Sequence, residues 1–327
     1  MGCIKNVHRF GMMRAFLFIT GVVPWFLGAV LVTAASAAGK VPVFVSIVPQ
    51  KYFVEKIGGE RVDIAVMVEP GASPHHYEPK PRQMAALAKT KIYYAIGIEF
   101  EKVWLEKIAA INRNMRIVHT ERGIEKIPMK AHHHHHEEGE YDHGAVEHHH
   151  GEGGAKHVAE SHDRRIKDPH IWLAPPLVMV QARNILQGLL ATDPAHRSTY
   201  EANYKKFIVE LINLDAELRE IFAEKGECIE FMVFHPAWGY FAQAYGLEQV
   251  PVEIEGKEPK PTELRNLIEH ARERGIKVIF VTPQFSTKSA ETVASAIGGQ
   301  IAFVDPLAKD WVKNLREVAE KFKTALR

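Results

Sequence analysis

Cysteine is almost absent from this chain, which has two cysteines in 327 residues. Cys3 lies close to the N terminus, and Cys228 lies in ECIEFMVF, an apolar run that is typical of a buried strand. If the N-terminal segment is removed, Cys228 is left alone and no internal disulfide can form. The motifs HExxH and CxxC are also missing, so no local motif marks a metal site.

A large excess of charge of either sign is absent as well. The chain has 41 basic and 40 acidic residues and a formal net charge of +1. The first 37 residues contain Lys5, Arg9 and Arg14 but no acidic residue, and the remainder has 38 basic against 40 acidic residues. A near-neutral mature chain gives no reason to expect a nucleic-acid partner.

Long hydrophobic runs are limited to one, at the N terminus. A basic section that ends at Arg14 precedes AFLFITGVVPWFLGAVLV (residues 15–32), and Ala-Ser-Ala at 35–37 fits a cleavage site. We therefore predict a signal peptide over residues 1–37 and a periplasmic or otherwise extracytoplasmic mature protein. The alternative is an uncleaved anchor, because the run is just long enough to span a bilayer.

Short apolar, β-branched runs recur in two sets, with helical patterns between them. The predicted strands occupy residues 41–48, 62–68, 91–97 and 116–120 in the first set, and 227–234, 248–254, 277–283 and 300–306 in the second. The predicted helices occupy residues 50–57, 81–89, 100–111, 177–191, 238–245, 262–274 and 287–297. This alternation predicts an α/β fold of two lobes, each with a mainly parallel sheet flanked by helices.

A long helical stretch separates the two sets. Apolar residues from Tyr200 to Ile221 recur at alternating spacings of four and three, which predicts one continuous helix over residues 195–225. A helix of that length would be a rod of about 45 Å. We predict that it joins an N-terminal lobe (38–194) to a C-terminal lobe (226–327) and resists hinge bending between them.

Histidine, in contrast, is abundant. Eleven of the 19 histidines lie in the segment Ala131–Arg164, which is rich in Gly, Glu and His and has few large apolar residues. Such a composition predicts a loosely ordered insertion in the first lobe. We predict that it contributes weak, auxiliary zinc ligands at His132, His133, His134, His135, His136, His143, His148, His149 and His150.

Three of the remaining histidines lie in loops beside proline. They are His75 in GASPHHYEPKP, His170 in DPHIWLAPP and His235 in VFHPAWGYF. His75 and His235 each follow a predicted strand, where α/β lobes bind ligands, and Asp305 follows the last strand. Three imidazoles and one carboxylate suit a four-coordinate Zn²⁺ site. From the residues alone, His76 remains an alternative to His75.

The motifs P-H-x-Y-E-P, D-P-H-x-W-L, F-H-x-x-W-x-Y-F and a terminal D-P-L resemble those of the zinc/manganese solute-binding proteins of bacterial ABC importers. They occur in the expected order between about Val41 and the C terminus. The resemblance implies a metal site between the lobes that is formed by His75, His170, His235 and Asp305. The resemblance also favours His75 over His76, because the ligand in this motif is the histidine that follows proline. Members with glutamate at the third position tend toward manganese, so His235 implies zinc.

We therefore expect a zinc-capture protein and not an enzyme. It would bind Zn²⁺ (Mn²⁺ is the alternative) between the lobes, act as a monomer and deliver the ion to the membrane permease of an ABC importer.

Two other functions compete with this expectation. If Asp305 were not a ligand, the open fourth position could serve a zinc hydrolase, with Glu78 as the obvious acidic neighbour. However, no nucleophile–base pair occurs at a recognisable spacing. In a passive metal buffer, the histidine-rich segment would do all the binding, which leaves His75, His170 and His235 unexplained.

Overall fold

In a computed structural model, two parallel β-sheets of four strands each organise the part of the chain that the structure describes. The structure describes residues 39–129, 166–223, 229–253 and 259–326. The predicted signal peptide and the histidine-rich segment Ala131–Arg164 lie outside the described residues, as does Cys228.

The first sheet has the strand order β2-β1-β3-β4, and all of its pairings are parallel. The central strands are apolar because they are covered on both faces, as expected for a parallel sheet. The elements are β1 (Val41–Val45), α1 (Val48–Gly58), β2 (Val62–Val66), α2 (Pro81–Leu87), β3 (Ile92–Ala95), α3 (Glu99–Ile111) and β4 (Arg116–His119).

Two long helices connect the first sheet to the second. Helix α4 (Pro175–Thr192) begins with two prolines, which are compatible with the first turn because their missing N–H groups need no intrahelical partner there. Helix α5 (Arg197–Phe222) has 26 residues and a length of about 39 Å. The residues of α5 that point inward are buried, namely Tyr200, Phe207, Leu211, Leu214, Leu218 and Phe222.

The second sheet repeats the topology of the first, with the strand order β6-β5-β7-β8 and parallel pairing throughout. Its elements are β5 (Ile229–Val233), α6 (Gly239–Ala244), β6 (Leu247–Pro251), α7 (Pro261–Glu273), β7 (Val278–Val281), α8 (Lys288–Ala296), β8 (Gln300–Phe303) and α9 (Trp311–Ala325). In each sheet the chain order changes direction between two central strands, β1 and β3 in the first sheet and β5 and β7 in the second. In α/β sheets, ligands bind at the carboxyl ends of the strands beside such a point.

The predicted α/β fold of two lobes is confirmed, and each of the eight predicted strands has a counterpart in the two sheets. The predicted linking helix is also present, but it begins at Arg197 because Pro194–His196 form a 3₁₀ turn first. The proposed domain bounds stay a prediction. No pattern given above predicts α9, although its buried residues recur at helical spacing.

Buried contacts join the two lobes in addition to α5. The indole of Trp311, at the start of α9, packs edge-on against Phe53 of α1, with the ring centroids 5.0 Å apart. Trp311 Nε1 donates to the carbonyl of Trp172 (2.8 Å), and Trp172 Nε1 donates to the carbonyl of Pro306 (2.7 Å). Trp172 and Pro306 are close in sequence to His170 and Asp305, so this contact fixes the lobes beside the predicted metal site.

Within the ranges that the structure describes, no helix is both long enough and apolar enough to cross a membrane.

The contact between the lobes can be tested with Trp172→Phe. This change removes the indole donor and leaves the buried carbonyl of Pro306 without its partner, which typically costs about 1–3 kcal/mol. We expect a loss of that size in the free energy of unfolding, measured by urea denaturation. Trp104→Phe is the control, because Trp104 is only partly buried, and it should change stability by less than about 0.5 kcal/mol. Equal losses in the two variants would contradict the account.

Candidate metal site

Of the four side chains predicted to form the site, three follow the carboxyl ends of strands. His75 follows β2, His235 follows β5 and Asp305 follows β8. His170 lies in the short segment that precedes α4. Since the strands of each sheet are parallel, these loops emerge at one edge of each sheet. The fold therefore brings together groups that are far apart in sequence.

Three imidazoles converge at this edge. His75 Nε2 lies 3.1 Å from His235 Nε2, which lies 3.3 Å from His170 Nε2. Among the described residues, these three form the single group of three or more His, Cys, Asp or Glu side chains whose ligand atoms all lie within 4.8 Å of one another. The arrangement is a trio of nitrogens with a common centre.

The opposite ring nitrogen of each imidazole faces a carboxylate. His170 Nδ1 lies 2.7 Å from Asp168 Oδ1, His235 Nδ1 lies 2.9 Å from Glu253 Oε1, and His75 Nδ1 lies 3.0 Å from Glu99 Oε2. A carboxylate beside Nδ1 favours the tautomer with hydrogen on Nδ1, which leaves the lone pair of Nε2 for a cation. The orientation of each ring is thus suited to metal binding.

The carboxylate partner of His75 is held least firmly. The contact between Glu99 and His75 is short, but Glu99 Oε2 is not aligned for a hydrogen bond. Asp168, in contrast, accepts hydrogen bonds from both the ring and the backbone N–H of His170. His170 is therefore the most rigidly oriented of the three imidazoles.

The C-terminal lobe supports Asp168 directly. Tyr240 of α6 donates its hydroxyl hydrogen to the carbonyl of Asp168 (2.9 Å) and accepts the backbone N–H of Ile127 (3.1 Å). A side chain at Gly239 would place its Cβ 2.7 Å from Asp168 Oδ2, so only glycine allows this approach. Asp168 N also donates to the carbonyl of Ile127 (2.9 Å), which precedes the histidine-rich segment in the sequence. The backbone of Ile127 is thus held beside Asp168 and His170.

Burial and contacts with neighbouring side chains shift two pKa values in the site. Burial lowers the pKa of His235 to about 4, although its contact with Glu253 acts in the opposite direction. Burial would raise the pKa of Glu99, but the contact with His75 lowers it to about 2. Near neutral pH, the imidazole of His235 is therefore uncharged and Glu99 is a carboxylate.

Asp305 is not part of the three-histidine cluster. Its Oδ1 accepts hydrogen bonds from Gln284 Nε2 (2.8 Å) and from the backbone N–H of Leu307 (2.9 Å). Both bonds use the same oxygen, and within the described ranges no hydrogen bond is found to Oδ2. The role of Asp305 as a fourth ligand stays a prediction.

The side chains considered as alternatives lie elsewhere. His76 and Glu78 are exposed, whereas His75 is partly buried and points into the cluster. Three further histidines contact carboxylates outside the cluster: His119 with Glu121, His196 with Asp193 and His270 with Glu230. The auxiliary ligands predicted from His132 to His150 lie outside the described residues.

The donor set fits Zn²⁺. Zinc–nitrogen distances of about 2.0–2.1 Å in a tetrahedral site place neighbouring ligand atoms about 3.3–3.4 Å apart. The two Nε2–Nε2 distances of 3.1 and 3.3 Å are close to that value. Three imidazole nitrogens also match zinc better than manganese, which favours oxygen ligands.

Sequence reasoning missed the carboxylates around the imidazoles. Asp168 had a visible signal, because it belongs to the same D-P-H motif as His170. Glu99 and Glu253 had only a weak signal, which is that each follows a strand, β3 and β6 respectively. A histidine that follows a strand is a candidate metal ligand. The carboxylate that contacts this histidine depends on the order of the strands in the sheet, which local sequence patterns do not reveal.

Comparisons with known proteins agree with this geometry. The "High-affinity zinc uptake system protein ZnuA" of Bacillus subtilis (strain 168) is 30% identical over 280 residues, which cover 84% of this chain and 81% of that protein. A solved structure described as "Crystal structure of ZnuA" is 40% identical, with a TM-score of 0.76, and covers 88% of this chain and 100% of its own. A ZnuA deletion mutant with zinc bound is 41% identical, with a TM-score of 0.75, and covers 88% of this chain and 98% of its own.

The family model described as "Zinc-uptake complex component A periplasmic" matches residues 43–325, which include both sheets, the connecting helices and the three clustered histidines. The match covers most of the chain, and so this protein belongs to the family of the periplasmic component A of zinc-uptake complexes.

Proposed function

We propose that this protein captures Zn²⁺ outside the cytoplasm, in the cleft between its lobes, and delivers the ion to the membrane permease of an ABC importer. The observation that carries the proposal is the convergence of three Nε2 atoms whose opposite ring nitrogens all face carboxylates. Such carboxylate–histidine pairs orient imidazoles toward a metal and raise their basicity. The names of the zinc-uptake relatives support the same cargo.

Asp305 completes the proposed site as the fourth ligand. Its Oδ1 is held by Gln284 and Leu307, which leaves Oδ2 for the ion. Three imidazoles and one carboxylate give a closed, four-coordinate donor set, which is typical of a site that holds zinc and does not use it for chemistry.

Capture without catalysis is also supported by the surroundings of the site. Hydrolysis needs an open coordination position and a general base near the bound water. Glu78, the candidate base in the sequence, is exposed, and the carboxylates of Glu99, Asp168 and Glu253 contact imidazoles.

Release of zinc requires local changes in this account. The hydrogen bonds of Trp172 and Trp311 link the lobes, and α5 packs against α1, α4 and α9. A wide opening of the cleft would break these buried contacts at once. We infer that a monomer carries the ion and that docking on the permease shifts the loops that contain the ligands.

Zinc titration by calorimetry tests the proposed site. In a variant that lacks residues 131–164, one tight site should survive, because the described ligands lie outside that segment. His75→Ala, His170→Ala and His235→Ala should each weaken that site by more than the 10–100-fold that typically follows the loss of an outer hydrogen-bond partner.

His76→Ala is the matched control, because His76 is exposed and adjacent to His75, and it should leave the tight site unchanged. If the deletion alone abolished tight binding, the inter-lobe site would be wrong and the passive metal buffer would be favoured. Turnover in a hydrolase screen of the zinc-loaded protein would favour the enzyme.

The orienting role of the carboxylates is tested by Asp168→Asn. The amide is nearly isosteric but uncharged, so it no longer raises the basicity of His170. We expect a 10–100-fold loss in zinc affinity, measured by competition with a chelator. Asp193→Asn is the control, since Asp193 makes the same 2.7 Å contact with His196, which is not in the cluster. Equal affinity losses in the two variants would contradict an orienting role for Asp168.

A further inference from the structure

The loop between β7 and α8 places an aromatic ring against the imidazoles. The ring of Phe285 stacks on that of His235, with centroids 4.7 Å apart and an interplanar angle of 26°. It also lies 6.3 Å from the ring of His75, at an angle of 41°. Phe285 belongs to the C-terminal lobe and His75 to the N-terminal lobe, so this ring lies where the two lobes meet.

The exposure of the imidazoles indicates the side from which solvent reaches the site. The side chains of His170 and His235 are 2% and 5% exposed, whereas that of His75 is 14% exposed. Phe285 is partly buried and packs beside His75 and His235. Among the three imidazoles, that of His75 is therefore the most accessible to solvent, and the ring of Phe285 lies beside it.

The same loop is attached to the predicted fourth ligand. Gln284 Nε2 donates to Asp305 Oδ1 (2.8 Å), and Phe285 N donates to the carbonyl of Thr282 (3.3 Å), which closes a turn. The position of the ring is thus tied to the position of the Asp305 carboxylate.

We propose that Phe285 is a specificity-determining residue that covers the solvent side of the three-histidine cluster and keeps water out of the coordination sphere of the bound ion. This inference rests on the proposed function, since it assigns to one side chain the discrimination between metals at the same site.

The physical reason lies in how divalent ions are hydrated. Zn²⁺ is satisfied by four protein ligands in a tetrahedron. Mn²⁺ favours oxygen donors and octahedral coordination, in which water commonly supplies the missing ligands. An apolar ring beside the ion offers no hydrogen bond to such a water. A six-coordinate ion therefore loses more binding free energy at this site than a four-coordinate ion does. The apolar surroundings of a metal site control solvent access in this way.

The test uses the full chain, with Co²⁺ as the probe of coordination number and with Zn²⁺ and Mn²⁺ for selectivity. Tetrahedral Co²⁺ absorbs visible light far more strongly than five- or six-coordinate Co²⁺. For the unchanged chain we expect the tetrahedral spectrum. For Phe285→Ala we expect the weaker spectrum of higher coordination, about 10-fold faster zinc release and a zinc-to-manganese affinity ratio that is lower by about 10-fold or more.

Two further variants make the test specific. Phe285→Gln replaces the ring with an amide that can bind water, so it should shift the Co²⁺ spectrum as Phe285→Ala does, and it decides the test if the alanine variant fails to fold. Phe303→Ala removes a phenylalanine of the same lobe that is 51% exposed, and it should leave the spectrum and the affinity ratio unchanged.

The outcomes separate the two proposals. A folded Phe285→Ala or Phe285→Gln chain with the unchanged Co²⁺ spectrum and affinity ratio would overturn the role of Phe285 while the capture of zinc still held. A five- or six-coordinate spectrum in the unchanged chain would overturn it as well. If the unchanged chain bound no zinc at the three histidines, the proposed function itself would fail.

Discussion

The contact between each imidazole Nδ1 and a carboxylate is the interaction on which the site depends. Without it, a ring could rotate or change tautomer and donate an Nε2–H to the neighbouring Nε2, 3.1 or 3.3 Å away, which would leave no lone pair there for a cation. Glu99, Asp168 and Glu253 fix the rings from outside, so the nitrogens face a common centre before any ion arrives. Their negative charges also balance a divalent cation that the uncharged imidazoles could not balance.

The fold places this arrangement between two lobes of the same topology. Each lobe contributes loops from the carboxyl ends of its parallel strands, where backbone turns outward and side chains can converge. The lobes also support each other, because Tyr240 binds Asp168 and Trp172 binds the carbonyl of Pro306. These buried bonds and α5 oppose a wide opening of the cleft. In the proposed function, ion exchange therefore depends on small loop shifts, and Phe285 lies beside His75 and His235 at this site.

The sequence predicted the strands, most helices and the three clustered histidines because these depend on local patterns. Buried parallel strands are continuous apolar runs, and His75, His170 and His235 follow strands or prolines. The choice between His75 and His76 needed the family resemblance, since adjacent residues share every local signal. The partners Glu99 and Glu253, and Phe285 above His235, could not be predicted, because they meet their histidines only through strand order. Helix α9 is a different case, since its apolar spacing was readable from the sequence.

The central claim is that one ion is held by the three imidazoles together. Zinc K-edge X-ray absorption of the chain loaded with one equivalent of zinc tests it most directly. The account predicts a four-coordinate ion with nitrogen and oxygen neighbours at about 2.0–2.2 Å, and multiple-scattering features of three imidazoles. It also predicts that these features change when His75→Ala, His170→Ala and His235→Ala are combined. A spectrum that is the same in the triple variant would contradict the account, because the first zinc ion would then be bound elsewhere in the chain.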